Sequence, residues 1–339
     1  MNIKTLGIDI AKRVFELHGV DEKDKVVLKQ RVSRGELVVT IAHLPPCLIG
    51  IEACSGAHYW ARRFRALGHE VKLINPQFVK PYVKSNKNDS HDAQAICEAV
   101  GRPSMRFVAV KNVGQQDIQA LHRIRERLVK DRTALVNQIR GLLTEYGIVI
   151  AQGIDKVRKQ LPIIIENVDN ELSVLGQELL HDLQIQLLEL DSKVKAYDRK
   201  VDAICRANEM CQRLTEIEGV GALTATAVVA SVGDAKVFKN GRELAAFIGL
   251  VPKQHSSGGK QKLLGISKRG DRYLRCLLIH GARAVLIRAK NLPDKKEQWL
   301  KDLVARRGHN KAIVALANKN ARVMWAMMAK QEAYQRDMN

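Results

Sequence analysis

Short β-type runs alternate with a helical pattern near the start of the chain, and this alternation constrains the fold more than any other feature. Three runs, at 3–10, 14–20 and 26–32, follow one another closely, which predicts an antiparallel meander. Two further runs, at 47–53 and 70–76, flank the helical sequence HYWARRFRALG. Strands that alternate with a helix are typical of an α/β domain with a mixed central sheet.

Helical patterns dominate the chain after residue 90. They predict a helix from Ser90 to about Val100, a long helical region from Val113 to Tyr146 and another from Leu172 to Ile204. In the last of these, apolar residues recur three and four positions apart, as in a coiled-coil seam; they are Leu187, Leu190, Val194, Tyr197, Val201 and Ile204. The seam predicts either a contact between two copies of the chain or one helix of an intramolecular bundle.

The chain is strongly basic and has no feature of a membrane or secreted protein. Its 339 residues hold 56 Lys and Arg against 36 Asp and Glu, a formal net charge of +20 that is spread along the chain and favours a nucleic-acid partner. The six cysteines show no zinc-ligand spacing, and neither a signal peptide nor an apolar run long enough to span a bilayer is present. A cytoplasmic protein that does not bind membranes is expected.

Four carboxylates stand out in this basic chain. Asp9 and Glu52 each end an apolar strand, in GIDIAK and GIEACSGAHYW, whereas Asp89 and Asp92 lie one turn apart at a helix start in NKNDSHDA. A charge that follows an apolar strand is costly unless it is paired or coordinated. Several converging carboxylates hold Mg²⁺ for phosphodiester chemistry, so a two-metal site is predicted. The alternative for Asp89 alone is a helix cap.

A glycine-rich turn between two helical patterns lies at 214–234, LTEIEGVGALTATAVVASVGD. This pattern is typical of a helix-hairpin-helix, in which Gly219 and Gly221 let the backbone approach a phosphate and the amides near Thr224 point at it. Such a contact carries no sequence information. The alternative is an ordinary αα-hairpin with a glycine turn.

A second candidate site follows at 249–275, GLVPKQHSSGGKQKLLGISKRGDRYLR. A glycine loop can bring a hydroxyl close to a phosphate, so Ser256 or Ser257 is a candidate nucleophile. The basic residues that flank the loop and could bind nucleic acid are Lys253, Lys260, Lys262, Lys268, Arg269, Arg272 and Arg275. A turn that binds phosphates without chemistry explains the same residues.

Taken together and in order, these motifs resemble the DEDD transposases of the insertion-sequence family one-ten, a group that includes the Piv/MooV-type DNA invertases. The motifs GIDIAK, IEACSGAHYW and NKNDSHDA are followed far downstream by IEGVGALTA, FIGLVPKQHSSGGKQKLLGISKRGDRYLR and LIHGARA. The resemblance extends over both the N-terminal and the C-terminal regions, which makes it more specific than any single motif.

The resemblance implies an α/β plus α architecture. It implies a RuvC/RNase H-like domain at 1–150, in which Asp9, Glu52, Asp89 and Asp92 bind Mg²⁺. A helical coiled-coil linker at 151–210 and a mainly helical transposase domain at 211–339 then follow, and in the latter Ser257 attacks DNA to form a phosphoserine link. Ser256 stays open as the alternative. The resemblance also implies a structured bridge RNA that pairs with donor and target double-stranded DNA.

The expected function is therefore that of a transposase, a site-specific recombinase of an insertion sequence that cuts and rejoins DNA. A homo-oligomer, either a dimer or a tetramer, is expected from the seam. One alternative is a junction-resolving or hydrolytic nuclease that uses the carboxylates with water as nucleophile, or a DNA invertase that uses the carboxylates. The other is an architectural nucleic-acid-binding protein without enzymatic activity, in which the acids only cap helices or form ion pairs.

Overall fold

The computed structural model describes residues 2–83, 89–288 and 294–335, without the side chains of Asp89 and Asp294. The chain divides into two compact units. The first unit comprises Met1–Gln115 and Val232–Val237, and the second comprises Gln116–Ser231 and Phe238–Asn339. The division into domains at 1–150, 151–210 and 211–339 stays a prediction.

The first unit is built on a six-stranded mixed sheet, as the strand pattern predicts. The strands are β1 (Thr5–Ile10), β2 (Val14–Val20), β3 (Val26–Ser33), β4 (Leu48–Glu52), β5 (Glu70–Ile74) and β6 (Phe107–Val108). Their order is β3-β2-β1-β4-β5-β6; β1, β4 and β5 are parallel, and the other pairings are antiparallel. The predicted meander of the first three strands is confirmed.

Within the described residues, four α-helices accompany this sheet: α1 (Arg34–Ala42), α2 (Ala57–Ala66), α3 (Pro76–Val79) and α4 (Asp89–Val100), with a 3₁₀ turn at Lys80–Tyr82. Helix α1 begins with a capping box, in which Ser33 and Glu36 each accept a hydrogen bond from the other's backbone N–H. Apolar side chains of β1 and β4, such as Ile8 and Ile51, are fully buried, as expected for parallel strands covered by helices.

The second unit is mainly helical. It contains most of α5 (Val113–Thr144), followed by α6 (Ile154–Glu166), α7 (Val174–Ala207), α8 (Glu209–Leu214), α9 (Ala222–Val232), α10 (Gly241–Ile248), α11 (Arg272–Ile287), α12 (Asp294–Arg307) and α13 (His309–Lys330). A 3₁₀ turn of the first unit, Ala235–Val237, lies between α9 and α10, and the strands β7 (Pro252–Gln254) and β8 (Leu263–Ile266) form a hairpin. In the described part of the chain, no helix combines the length and the apolar character that crossing a bilayer requires.

The predicted apolar seam of α7 is buried within the chain. Leu187, Val194 and Val201 are at most 3% exposed, and Leu187 belongs to one apolar cluster with Leu135 and Ile139 of α5. Polar contacts fix the same helices, because Asp191 of α7 accepts hydrogen bonds from Arg132 of α5 and from Arg158 of α6. Of the two predicted roles of this seam, the structure therefore shows the intramolecular bundle and not a contact between copies.

Candidate active site

Asp9 and Glu52 stand at the same ends of neighbouring parallel strands. The pairing of β1 with β4 runs from Thr5 and Leu48 to Ile8 and Ile51, so the next residues in register are Asp9 and Glu52. Both side chains are half-buried. Because parallel strands hold their carboxyl ends at one edge of the sheet, the fold places these two acids side by side, as the sequence predicts.

Two glycines position α4 over these strands. Gly7 and Gly50 are paired in the register of β1 and β4, and α4 lies directly against both. The carbonyl oxygen of Ala93 occupies the space that a Cβ on Gly7 would need, and a Cβ on Gly50 would come within 2.8 Å of the Val100 Cβ. This close approach anchors the first turns of α4 beside the end of β1.

The two remaining acids lie on α4. Asp92 immediately precedes Ala93 and is half-buried; the helix begins at Asp89, whose side chain lies outside the described part of the structure. The fold therefore brings Asp92 to the strand ends that carry Asp9 and Glu52. The metal-binding role of the four acids stays a prediction.

Electrostatics agree with this proximity. Burial, together with the negative charge of Asp92, raises the pKa of Glu52. Burial also raises the pKa of the Cys54 thiol, and the charges of Glu52 and Asp9 add to that effect. The charges of Asp9, Glu52 and Asp92 are thus close enough to change the pKa of Glu52 or of Cys54. Among the side chains that the structure describes, no three His, Cys, Asp or Glu residues already form a metal-binding arrangement.

Arg34 lies beside the strand end that carries Asp9, and no motif in the sequence predicts this position. Arg34 Nη1 donates a hydrogen bond to the Lys12 carbonyl at 3.5 Å, and the guanidinium lies 5.0 Å from the centroid of the Trp60 ring. Arg34 thereby holds the turn that follows Asp9. The contact joins residues 22 positions apart in sequence, and only the pairing of β2 with β3 brings them together.

In the second unit, the glycine turn before α9 is fixed by a buried ion pair. Lys296 Nζ donates to Glu218 Oε2 at 2.6 Å, and the Tyr334 hydroxyl donates to the same oxygen at 2.5 Å. Burial alone would raise the pKa of Glu218, but these two hydrogen bonds lower it to about 2. Lys296 is 4% exposed and Glu218 is half-buried, so the pair lies at the edge of the interior.

The predicted phosphate-binding residues of this turn are placed differently from one another. Gly219 has a φ of 86° and packs against the backbone of Gly281 in α11, which fills the space beside it with protein. Thr224 is 5% exposed, whereas Gly221, immediately before α9, is exposed. Gly219 therefore packs against a neighbouring helix on one side and is half-buried, whereas Gly221 is the most accessible of the three residues. Phosphate binding by this turn stays a prediction.

Ser256 and Ser257 lie at the exposed tip of the β7–β8 hairpin. Lys260 N donates to the Ser257 carbonyl at 3.0 Å across Gly258 and Gly259, whose φ angles are 54° and 75°. Two consecutive positive φ angles define a type I′ turn, the two-residue connection that best matches strand twist. The predicted glycine loop is thus an ordered hairpin.

Most of the predicted basic residues surround this hairpin, with one exception. Those that are exposed are Lys253, Lys260, Lys262, Lys268, Arg269 and Arg272. Arg275 is only 7% exposed, and its Nη1 donates to the carbonyls of Ile248 at 2.8 Å and Arg269 at 3.1 Å. This corrects the expectation that Arg275 contacts nucleic acid, because its guanidinium instead holds the segment before α11.

Comparison with known proteins identifies the family. A model described as Transposase matches residues 6–148, and one described as Transposase IS116/IS110/IS902 family matches residues 211–299. The transposase for insertion sequence element IS1111A of Coxiella burnetii is 54% identical over 98% of this chain and 92% of its own length. A probable family 20 transposase of Pseudomonas aeruginosa is 49% identical over 98% of this chain and 99% of its own.

A third relative extends the similarity to another genus. The transposase for insertion sequence element IS1328 of Yersinia enterocolitica is 41% identical over 96% of this chain and 97% of its own length. Relatives this similar over nearly the whole chain show family membership. The chain belongs to the IS110 family of insertion-sequence transposases, enzymes that cleave DNA and transfer its strands.

Proposed function

We propose that this transposase is a site-specific recombinase with a RuvC/RNase H-like domain, in which Asp9, Glu52, Asp89 and Asp92 hold Mg²⁺ and Ser257 is the nucleophile. The observation that carries the proposal is the side-by-side placement of Asp9 and Glu52 at the ends of β1 and β4, with Asp92 beside them on α4. The order and directions of the six strands are consistent with that fold.

The donor set fits Mg²⁺. Carboxylate oxygens are the ligands that this ion prefers, and it retains several of its waters when bound. The described acids are half-buried and close together, so without a cation their negative charges would repel one another. When bound, the metal would polarise a phosphodiester and stabilise the charge that develops on its oxygens.

The hairpin supplies the proposed nucleophile. In the reaction, a bond forms between Ser257 Oγ and phosphorus while the bond from phosphorus to one deoxyribose oxygen breaks. The phosphoserine ester keeps the phosphodiester bond energy for rejoining, which hydrolysis by water would lose. Within the described residues the Ser257 hydroxyl makes no hydrogen bond, whereas Ser256 Oγ accepts one from Gln254 Nε2 at 3.0 Å. This difference supports Ser257 over Ser256.

Donor and target duplex DNA are the proposed nucleic-acid partners, together with a structured bridge RNA that pairs with both. The exposed basic residues of the hairpin and its flanks would contact sugar–phosphate backbones, as would the amides that follow Gly221. Backbone contacts fix register without reading sequence, so base pairing with RNA would supply target choice. A dimer or tetramer is proposed to perform the reaction, and it would use surfaces other than the buried α7 seam.

The serine assignment is tested by trapping the covalent intermediate. Full-length protein is incubated with duplex DNA spanning the element junction and with RNA transcribed from the element's flanks, and adducts are resolved by denaturing electrophoresis. Ser257→Ala should abolish the adduct and retain DNA binding, while Ser256→Ala should retain both. Adducts at wild-type yield from Ser257→Ala would refute the assignment. Free 5′-phosphate ends without any adduct would support the hydrolytic nuclease instead.

The metal site is tested by matched carboxylate changes. Asp9→Asn should lose strand cleavage at every Mg²⁺ concentration, since it removes a charged ligand and keeps the side-chain shape. Glu22→Gln, an exposed acid in the turn between β2 and β3, is the control and should cleave normally. Normal recombination by Asp9→Asn without added Mg²⁺ would contradict the proposal.

Family membership excludes the architectural alternative, because the family consists of enzymes.

A further inference from the structure

We infer that one face of the β7–β8 hairpin is the reacting face, on which His255 takes the hydroxyl proton of Ser257 and Lys260 contacts the attacked phosphate. The inference rests on the proposed nucleophilic role of Ser257. It adds a residue, His255, that neither the sequence motifs nor the resemblance to relatives assigns.

The hydrogen bonds of the hairpin fix its register up to the turn. Gln254 pairs with Leu263, His255 N donates to the Lys262 carbonyl at 3.0 Å, and Ser257 pairs with Lys260. All three observations belong to one register, so the pairing continues without a bulge from the end of β7 at Gln254 to the turn. The positions of the intervening side chains follow directly.

This register separates the two serines. Side chains alternate between the faces of a strand, and residues directly opposite each other share a face. One face therefore carries His255, Ser257, Lys260 and Lys262, and the other carries Gln254, Ser256, Gln261 and Leu263. The hydrogen bond from Gln254 Nε2 to Ser256 Oγ agrees with this division. The face of Ser257 is basic, and the face of Ser256 is uncharged.

The distances along a strand allow the proton transfer. Residues two apart are separated by about 6.7 Å, a gap that an imidazole and a serine side chain together can span through one hydrogen bond. Lys260 lies directly across from Ser257, where its charge can neutralise a phosphate held at the hydroxyl. The type I′ turn keeps this arrangement at the tip, since its twist matches that of the strands.

Each bond that forms in this step is matched by one that breaks. Ser257 Oγ forms a bond to phosphorus, the hydroxyl proton passes to the neutral imidazole of His255, and the bond from phosphorus to the leaving deoxyribose oxygen breaks. That oxygen takes a proton from water and leaves hydroxide in the solvent. In rejoining, the deoxyribose hydroxyl gives its proton to hydroxide as its oxygen attacks phosphorus, and the His255 imidazolium returns its proton to the departing serine oxygen.

The test measures the rate of adduct formation by the full-length protein with junction DNA and flank-derived RNA. His255→Ala should form adduct at least ~100-fold more slowly, the usual contribution of a general base, and added imidazole should restore part of the rate. DNA binding, followed by fluorescence anisotropy, should change by no more than about twofold, because one exposed histidine contributes little to the backbone contacts. Lys260→Gln should also slow the reaction, whereas Gln261→Ala, its neighbour on the opposite face, should react like wild type.

The outcomes distinguish this inference from the proposal beneath it. Wild-type rates in His255→Ala, or a loss that imidazole does not restore, would overturn the role of His255 and leave Ser257 as nucleophile. Equal loss in Gln261→Ala would show that the hairpin as a whole matters and would overturn the division of faces. Failure of the wild-type protein to form any adduct while it still cuts DNA would instead refute the nucleophilic serine.

Discussion

Gly7 of β1 and Ala93 of α4 are in direct backbone contact, with the Ala93 carbonyl oxygen in the space that a Cβ on Gly7 would need. The next turn of the helix adds to the crowding, since a Cβ on Gly7 would also lie 2.8 Å from the Cys97 Cβ. Helix α4 carries Asp92, so the contact sets how closely that acid approaches Asp9. Glycine is required here for packing and not for an unusual backbone angle.

Gly7→Ala is therefore expected to destabilise the first unit and to impair catalysis. Overpacking of this kind costs about 1–3 kcal/mol, measured as the change in free energy of unfolding in a urea titration. Because α4 must move away, metal-dependent cleavage should fall as well. Gly35→Ala is the control: a Cβ there meets nothing within 4 Å, and alanine favours the helix. Equal stability of Gly7→Ala and wild type would contradict the packing argument.

The ion pair between Glu218 and Lys296 gives a second prediction. Lys296→Met removes the cationic partner of a half-buried carboxylate, to which the Tyr334 hydroxyl still donates, and should lower the free energy of unfolding by roughly 3 kcal/mol, the low end for breaking a buried pair. The double change Glu218→Gln with Lys296→Met should recover part of that loss, since no buried charge remains. Lys301→Met, which breaks an exposed helix pair with Glu297, should cost less than about 1 kcal/mol. Similar losses at the two lysines would refute a special role for the buried pair.

The same carboxylate should also confer acid sensitivity. Its pKa is about 2 in the folded chain against an ordinary value of 4.5, so the unfolded state binds the proton first as pH falls. The stabilisation is complete above pH 4.5 and is lost as the pH falls from there towards 2. Glu218→Gln should therefore show a shallower loss of stability in that window than wild type, measured by urea titrations at several pH values.

Much of the first unit could be predicted from sequence because its signals are local. Alternating apolar runs mark the strands, and Asp9 and Glu52 each end one. Parallel pairing of β1 with β4 then makes the two acids neighbours. What the pattern does not contain is the support around them, such as the stacking of Arg34 on Trp60, because that contact depends on how separate strands and helices come together.

Less of the second unit could be predicted from sequence, because its key contacts also join residues that are distant along the chain. Arg275 lies in a run of basic residues and has the same local signal as Arg272, yet one guanidinium is buried on backbone carbonyls and the other is exposed. Gly219 follows a phosphate-binding pattern but packs on Gly281, 62 positions further along. The apolar seam of α7 likewise fits either a contact between two copies or an intramolecular bundle. The choice between them depends on where α5 and α6 pack, which the pattern does not contain.

A buried histidine provides a pH-dependent prediction for the second unit. His122 of α5 is 3% exposed and hydrogen-bonds to the Tyr273 hydroxyl and to Thr226 Oγ1, each at 3.0 Å. Burial lowers its pKa to about 4, and the positive charge of Arg125 contributes. Since the unfolded state takes up the proton near pH 6.5, stability should fall as the pH drops from 6.5 towards 4, by roughly 2 kcal/mol between pH 7 and 5.

His122→Gln should remove most of that dependence while retaining hydrogen-bonding capacity. Urea titrations of both proteins at pH 7 and pH 5 measure the difference. The exposed His181→Gln is the control and should keep the wild-type slope. A slope that is unchanged in His122→Gln would mean that another group titrates in this window.

The different placement of Arg272 and Arg275 predicts opposite effects on stability and on DNA binding. Arg272→Gln removes an exposed charge beside the serine hairpin, so the slope of log binding constant against log salt should fall by about 1, with little change in stability. Arg275→Gln leaves the carbonyls of Ile248 and Arg269 without their donor inside the protein, so the free energy of unfolding should fall by about 1–3 kcal/mol.

Salt titrations of binding to a junction duplex, together with urea unfolding of each variant, separate the two effects. If Arg275→Gln folds stably and its salt slope falls as far as that of Arg272→Gln, the guanidinium contacts a phosphate and the structural role is refuted. If its slope matches wild type while its stability drops, the charge of Arg275 acts only within the protein. In that case Arg275 stabilises the segment between α10 and α11 and does not contact DNA.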